Sequence, residues 1–574
     1  LTYYAGKIGS SGNIRTMNKI LGKIISESSS NGSTMQRLAA MDVAVTIQGR
    51  DALPMLLSAV NDPDPSVRAG VIRMAGMIPG PEATKKWISK YKKARPEAKT
   101  DILYMFGERG DNLALPLINK ALSDATPDIA NESVTALVKI DGRKAIDPVI
   151  AWIKNSESEE GHWIAASALR TVLDSTDMKR IEAGLAGAEG HAAVTFIQLL
   201  AWSGSQKFFS TITRCLNTDD IVVRASALSA LKNVAGPGDQ SALISMLNST
   251  GERPEITELQ AALGAAAMRT PSPEKKSEVI LTALDKGGNK NKLIPVLGLI
   301  GDATALRHVK NEFDNGSAAI RDVCFDVLSH WPDESAAPAL FDICASGNKT
   351  FERPAFDAYL RMVSASSVTP ENKLLLLKKI EPFALTSEGK VEIISLAGSL
   401  NIYPAYFFIK DYLLDESEAI RTTAENVIEE MNLPDKDTFT SLFNGKDLTG
   451  WQGLVGNPLT RAAMNPSGLA ARQKEADMTM VQNWSAKDGI LSFTGKGDNI
   501  CTVKEYGDFE MFIDWSIPKK GDSGIYLRGS PQVQIWDTSL TDVGAQVGSG
   551  GLYNNQVNPA IPLMVADNPV GDWN

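Results

Sequence analysis

The chain has 574 residues, of which 43% are hydrophobic and 22% charged, and its formal net charge at pH 7 is −10. This length exceeds what one hydrophobic core usually serves, which predicts several domains or a repeat array. The acidic balance argues against nucleic acid as a main partner, because phosphate binding needs a basic face.

The cysteines and histidines are scattered along the chain. The cysteines form no C-x-x-C pair, and their spacing favours free buried thiols over a pairing of Cys324 with Cys344 across a helical hairpin. No histidine lies beyond His330, which excludes a Ser-His-Asp triad in the C-terminal part. No run of 18 apolar residues is present, so we expect no transmembrane helix. The start at Leu1, without Met or a signal-like segment, suggests a mature or trimmed product.

Residues 1–34 are predicted to be an N-terminal segment that differs from the rest of the chain. Ile14 to Ile25 can form one helix that caps the array. The polar stretch from Ser26 to Thr34 is typical of a flexible connection.

One sequence unit recurs between residues 35 and 433, which we call the helical array. The unit consists of a polar turn residue, then an Arg six positions later, with Val or Ile just before the Arg; one copy has Ala in place of the Arg. We predict that the polar residue caps a helix. The copies are Asp62…Arg68, Asp124…Ala130 with the arginine lost, Thr218…Arg224, Asn315…Arg321 and Asp415…Arg421. The partner helices carry a proline near their start, at Pro54, Pro116, Pro148 and Pro338.

This pattern resembles the HEAT-type, armadillo-like alpha-solenoids. The resemblance implies one continuous right-handed stack of helix pairs without strands, because each unit can bury its apolar face only against its neighbours. We interpret the array as a scaffold, with a concave surface for a protein or glycan partner as the alternative. The repeated arginines are predicted to form an inter-repeat ladder with neighbouring acids.

After a linker at Pro434 the hydrophobic period changes from three or four residues to two, over residues 439–574, which we call the C-terminal module. Residues 508–517 are predicted to form a half-buried strand. Its apolar face would carry Phe509, Met511, Ile513, Trp515 and Ile517, and its other face Glu510, Phe512, Asp514 and Ser516. Further strands are predicted at 523–528 and 532–537, which favours an antiparallel sandwich or jelly roll.

The module resembles the 3-keto-disaccharide hydrolase domain family. The motifs that carry the resemblance are Leu442-Phe-Asn-Gly-Lys-Asp-Leu448 with Gly450-Trp451, Asp488-Gly-Ile-Leu491, Tyr506-Gly-Asp-Phe-Glu510, Asp522-Ser-Gly-Ile-Tyr-Leu-Arg-Gly529, Gln534-Ile-Trp-Asp537, Gly551-Leu-Tyr553 and Gly571-Asp-Trp-Asn574. The resemblance implies a concanavalin A-like jelly roll that acts on 3-keto-glycosides. It also implies a secreted protein of a glycan-degrading bacterium, in the periplasm or at the cell surface.

Two departures from the family pattern affect these expectations. The family usually has Glu two residues before the strand glutamine Gln534, where this chain has Gln532. The family also continues beyond the position of Asn574, so we expect the jelly roll to be truncated here and the native protein to be longer. An insertion at 452–483, with a helix predicted from Leu469 to Val481, would either cover the site or serve only for packing.

The resemblance implies a base, a partner for an oxyanion and an aromatic surface for the sugar ring. The candidate catalytic residues are Asp514, Arg528 and Asp537, and the base could be Asp514, Glu510 or Asp537. Either Arg528 or a bound divalent metal would hold the oxyanion. The predicted substrate-binding residues are Glu510, Tyr526, Gln532, Gln534 and Trp536.

Purely structural roles are the alternative interpretation of the same residues. Arg528 and Asp537 could form a salt bridge that closes a turn, and Trp536 could belong to the core. Three functions therefore compete: a keto-glycoside lyase or hydrolase carried on a solenoid, a non-catalytic sugar-binding module, and an assembly scaffold at a cell surface. The amide at Gln532 favours the second.

Overall fold

The computed structural model describes residues 2–31, 33–434, 436–529, 531–554, 561–562 and 565–574. From Thr2 to Glu430 the described residues form helices and turns without a strand. The α-helices are α1 (Thr2–Ser10), α2 (Ile14–Asn31), α3 (Thr34–Gln48), α4 (Leu53–Ala59), α5 (Pro65–Gly76), α6 (Pro81–Tyr91), α7 (Pro96–Arg109), α8 (Leu115–Ala121), α9 (Pro127–Asp141), α10 (Ile146–Asn155), α11 (Glu159–Arg170), α12 (Met178–Leu185), α13 (Gly190–Trp202), α14 (Phe209–Arg214), α15 (Ile221–Val234), α16 (Gln240–Ser249), α17 (Arg253–Met268), α18 (Glu278–Asp285), α19 (Lys290–Ile300), α20 (Ala303–Asn315), α21 (Ala318–Ser329), α22 (Ala337–Ala345), α23 (Glu352–Ala365), α24 (Pro370–Ile380), α25 (Ser387–Ser399), α26 (Tyr403–Lys410) and α27 (Glu418–Glu430).

The chain divides into two compact units, Leu1–Val327 and Leu328–Asn574. The predicted domain boundaries at 34/35 and 433/439 stay predictions. In the first unit, α1 and α2 pack on α3 through the buried cluster of Ala5, Met17, Leu21, Ala40 and Ala44. The helix α2 continues to Asn31, beyond the predicted end at Ile25, because no proline or glycine lies between Ser26 and Asn31.

The repeat signature marks buried helix starts, as predicted. The Val or Ile that precedes the Arg (or Ala130) position is buried in four of the five copies, at Val67, Ile129, Val223 and Ile420, and half-buried in the fifth, at Ile320. Successive helices approach closely where small residues face each other. A Cβ on Gly107 of α7 would lie 3.1 Å from the Cα of Ala136 on α9, closer than ordinary van der Waals contact, so a side chain there would push the two helices slightly apart.

The predicted helix caps lie two residues too early. The carboxylate of Asp64, not Asp62, accepts from the N–H of Ser66 at the start of α5, at 2.9 Å. Asp62 instead accepts from the N–H of Asp64, at 3.0 Å, and closes a turn just before the cap. The same offset recurs at Asp220, which caps α15. Asp and Ser/Thr side chains bond the backbone two residues on in turns as readily as they cap helices, so the sequence alone does not separate the two tasks.

The predicted ladder of arginines and acids forms only in part. The shared contact is local, since each arginine donates to a carbonyl five or six residues earlier in its own turn. For example, Arg68 and Arg421 bond the oxygens of Asp62 and Asp415, at 3.1 and 2.8 Å. Contacts with a later acid occur at Arg68, whose Nε lies 2.7 Å from Asp101, and at Arg224, at 3.9 Å from Glu255.

The second unit contains α22 to α27 and the C-terminal module. The described strands of the module form three two-stranded antiparallel sheets: β1 (Trp451–Gly453) with β4 (Ile500–Thr502), β2 (Trp484–Lys487) with β3 (Ile490–Phe493), and β5 (Asp522–Tyr526) with β6 (Gln532–Trp536). Helical repeats followed by an antiparallel β region are thus confirmed as the fold class.

The insertion of the module is helical, as predicted. It contains α28 (Pro458–Ala462) and α29 (Pro466–Asn483). The helix α29 packs on β1, where the carboxylate of Asp477 accepts from the N–H of Gly453 at 2.9 Å. A Cβ on Gly453 would meet the carbonyl oxygen of Ala476 at 2.2 Å, so the close approach of α29 to β1 requires glycine.

The predicted strand at 508–517 is wrong. Of its residues only Ser516 makes a β-bridge in the described structure, with Trp573, and the backbone of Trp515 pairs with Asn574. The predicted apolar face is not buried as a whole, since Phe509 and Ile513 are about half exposed. The ring of Phe512, predicted on the polar face, stacks on Tyr403 of α26 at 5.5 Å. Packing against a helix has replaced the strand partner that alternation presupposes.

Candidate functional site

A broad open concavity of about 3500 Å³ lies within the second unit. One wall comes from the helical array, through side chains of α22, α24 and α26. The other wall comes from the module and includes most of the predicted site residues, namely Glu510, Asp514, Tyr526, Arg528, Gln532 and Gln534. Asp537 and Trp536 are not among the described residues that line it.

A chain of side-chain amides runs across the paired strands β5 and β6. The Nε2 of Gln532 donates to Oε1 of Gln534 at 3.0 Å and to the carbonyl of Ser523 at 3.2 Å. The Nε2 of Gln534 then donates to the carboxylate of Asp522 at 2.6 Å. Gln534 is only 2% exposed, so these bonds satisfy a buried polar group.

The glycine in β5 makes room for this chain. Gly524 lies opposite Gln534 in the strand register. A Cβ on Gly524 would stand 2.2 Å from Nε2 of Gln532, so any side chain there would displace the amide. The motif Asp522-Ser-Gly therefore shapes the polar face of this hairpin.

Asp537 has a structural task in the turn after β6. Its side chain is fully buried and accepts from the N–H of Lys520 at 2.7 Å and of Ser539 at 2.9 Å. The bond from Lys520, followed by those from Ser539, lowers the pKa of the Asp537 carboxyl below its ordinary value. Both oxygens are thus committed to the backbone, which favours turn formation over catalysis.

Trp536 also has an internal partner. Its indole Nε1 donates to the carbonyl of Gly548 at 2.9 Å, and its ring meets Tyr553 edge-on, with 6.3 Å between the ring centres. The segment that carries Tyr553 runs along β6, with a β-bridge between Val533 and Leu552. These contacts favour the packing interpretation of Trp536.

Tyr526 and Arg528 stand at the end of β5, on the side of the concavity. Both side chains are exposed. Arg528 lies beyond the strand in a turn, with a left-handed backbone at φ 51°, so strand alternation does not fix its direction. Its predicted salt bridge with Asp537 is not among the ion pairs of the described residues.

Asp514 is in direct contact with a lysine that the sequence did not suggest. Its carboxylate pairs with the ammonium of Lys378 on α24, and both side chains are partly exposed. Glu510, four residues earlier, is exposed and lines the same concavity. The two partners of the ion pair are 136 positions apart, so no local sequence signal could have revealed it.

The described residues contain no group of three or more His, Cys, Asp or Glu side chains that could hold a metal ion. The four cysteines are free thiols. Within the described part of the chain, no helix is long and apolar enough to cross a membrane.

Residues 438–574 match the model of a family described as the 3-keto-alpha-glucoside-1,2-lyase-like domain. A 3-keto-disaccharide hydrolase of Bacteroides thetaiotaomicron is 24% identical over 183 residues, covering 26% of this chain and 54% of that protein. The chain thus spans about half the length of the curated relative it matches. The C-terminal module is a domain of the 3-keto-disaccharide hydrolase family.

Two solved structures show a likeness to the larger part of the chain. The structure of Kap121p bound to Ste12p has a TM-score of 0.46 and 13% identity, covering 72% of this chain and 53% of that one. Importin beta has a TM-score of 0.37 and 13% identity, covering 75% of this chain and 70% of that one.

Proposed function

We propose that the C-terminal module cleaves 3-keto-glycosides by elimination or hydrolysis and that the helical array serves as its scaffold. The observation that carries the proposal is the family match over residues 438–574, which coincides with a polar and aromatic wall of an open concavity. A sugar ring needs such a mixed surface, since its hydroxyls bond polar groups and its faces stack on aromatic rings.

The chemistry starts from the acidity that a C3 ketone confers on the C2 proton. In the proposed reaction the carboxylate of Asp514 takes that proton, and the electron pair forms an enediolate. Expulsion of the C1 substituent, protonated as it leaves, completes the elimination, and addition of water to the product gives net hydrolysis. The guanidinium of Arg528 is the proposed partner of the enediolate oxygen. Glu510 is the alternative base.

The decisive experiment uses a 3-keto-glucoside with a chromogenic leaving group. The intact protein is expected to release that group, and Asp514→Asn is expected to lower kcat by roughly 10²–10⁴-fold, as is usual for a general base. Asp488→Asn is the matched control, because Asp488 is exposed in the turn between β2 and β3. Full turnover by a folded Asp514→Asn variant would assign the base to another residue.

Sugar binding without turnover is the second candidate function. It is favoured by Gln532, which stands at a position where the family usually has a glutamate. The side-chain amide of Gln532 donates hydrogen bonds to two oxygen acceptors. Binding of the same 3-keto-glucoside without release of its leaving group would support this candidate over the enzyme.

A secreted location, in the periplasm or at the cell surface of a bacterium, belongs to the same proposal. In a third candidate function the helical array binds a protein partner, and both parts of the chain serve as an assembly scaffold at the cell surface. Fractionation of the source cells tests the location. An absence of both sugar binding and turnover would favour the assembly role.

A further inference from the structure

The wall of the concavity that the helical array supplies is chemically specific. Lys378 on α24 places its ammonium against the carboxylate of Asp514. Its neighbour Lys379 pairs with Asp572 of the module, with Nζ 3.2 Å from the carboxylate oxygen. Two consecutive lysines of one helix therefore meet two separate segments of the module, and both segments line the concavity.

An aromatic cluster fixes this arrangement next to the ion pair. Phe512, two residues before Asp514, packs against Tyr403 and Phe407 of α26, with ring centres 5.5 and 6.0 Å apart. Phe439 at the start of the module joins the same cluster, 5.6 Å from Phe512. Contacts with helices thus position Asp514 on one side, and the backbone pairing of Trp515 with Asn574 anchors the residue that follows it.

We propose that Lys378 is a positioning residue of the sugar site, so that the helical array completes the site as well as carrying it. The proposal rests on the function proposed above, with Asp514 as the base. The ammonium holds the carboxylate in one orientation and keeps positive charge beside it. Positive charge at this point also favours the enediolate, which becomes negative as Asp514 takes up the proton. A partly exposed carboxylate without an ion-pair partner would sample several orientations, which is costly for proton transfer.

The test compares lysine variants of the full chain with 3-keto-glucoside as substrate. Lys378→Ala is expected to lower kcat roughly 10- to 100-fold, since a small misplacement of a catalytic group has effects of this order. The KM should change much less. Lys378→Arg should recover most of the loss, because it restores the charge. A purely structural ion pair would leave kcat unchanged while the melting temperature falls.

Lys390→Ala provides the matched control. Lys390 pairs with Asp415 at 3.0 Å, and its side chain is 34% exposed against 31% for Lys378, but it does not line the concavity. This variant should keep the full kcat. If Lys378→Ala folds poorly, Lys378→Met keeps the length of the side chain and answers the same question.

The outcomes separate this inference from the proposed function. Turnover by the unaltered protein together with an unchanged kcat in Lys378→Ala rejects the inference alone. If the unaltered protein binds the 3-keto-glucoside without turning it over, the enzyme proposal fails. The composite site then stands only if Lys378→Ala, but not Lys390→Ala, weakens binding measured by calorimetry at least about 10-fold. An unaltered protein that neither binds nor cleaves this sugar rejects both.

Discussion

Asp537 illustrates how a residue that the motif presents as catalytic can be occupied by the backbone. Its lowered pKa has a consequence for stability. A carboxyl whose pKa is lower in the folded state stabilises the fold above its ordinary value of 3.8, and this contribution is lost as the pH falls through the folded pKa. We therefore expect Asp537→Asn to melt earlier than the unaltered protein at pH 7.

The difference in melting temperature between the two proteins should shrink below about pH 4, where the carboxyl becomes protonated in the unfolded state and then in the folded state. Thermal melts at pH 7 and pH 3 check the expectation. A constant difference at both values would mean that the charge of Asp537 contributes nothing to the stability of its turn.

Gln532 stands where the family usually has Glu, and its amide fits the hydrogen-bonding groups that surround it. Sequence comparison suggests that Gln532→Glu could restore a catalytic carboxylate. In the structure, however, two acceptor oxygens, from Ser523 and Gln534, face the amide nitrogen. A carboxylate has no hydrogen to donate to them, so we expect Gln532→Glu to reduce the free energy of unfolding by about 1–3 kcal/mol at pH 7.

Gln532→Met is the control for this prediction, because it removes the donor without adding charge and should cost less. Urea titrations of the three proteins give the comparison. A Gln532→Glu variant as stable as the parent, with new turnover of a 3-keto-glucoside, would identify the module as a binding descendant of an enzyme.

At the scale of the element, the sequence was informative wherever a local pattern decides the outcome. The repeat unit predicted the helices and, in four of the five copies, their buried Val or Ile, since periodicity and turn residues act within one helix. The prolines at 54, 116, 148 and 338 lie within the first three residues of α4, α8, α10 and α22, as predicted. The predicted N-cap positions lie two residues too early, because Asp, Ser and Thr side chains bond the backbone in turns as well as at helix caps.

One helix of the array allows a direct test of burial. Leu228 on α15 is 9% exposed, whereas Ile221 at the start of the same helix is 71% exposed. Leu228→Ala is expected to cost about 2–5 kcal/mol of unfolding free energy through lost contacts and the cavity that remains. Ile221→Ala should change stability by less than about 0.5 kcal/mol. Equal effects of the two variants would contradict the packing of α15 against its neighbours.

For the molecule as a whole, the sequence predicted the two kinds of structure but not how the second unit is assembled. The alternation of apolar and polar residues at 508–517 indicated a strand. The same alternation arises when an extended segment packs against a helix, so the pattern alone does not distinguish the two. The contacts that decide the matter join residues such as Phe512 and Tyr403, which are far apart in the sequence. The large sequence separation of Lys378 from Asp514 likewise kept Lys378 out of the predicted site. Most predicted site residues nevertheless line one concavity, since the family motifs brought them together.

The aromatic cluster of Tyr403, Phe407, Phe439 and Phe512 is the natural place to test this assembly. Phe512 is 38% exposed, so Phe512→Ala should cost less than the ~3–5 kcal/mol typical of a fully buried phenylalanine, at about 1–3 kcal/mol. Because the loss falls on contacts with α26, hydrogen exchange should rise in residues 403–410 as well as near 512. Phe509→Ala is the control, since Phe509 is more exposed and should leave exchange in α26 unchanged. If both variants leave α26 equally protected, the cluster does not hold the module against the helices, and the position of Asp514 must depend on its ion pair with Lys378 and on the pairing of Trp515 with Asn574.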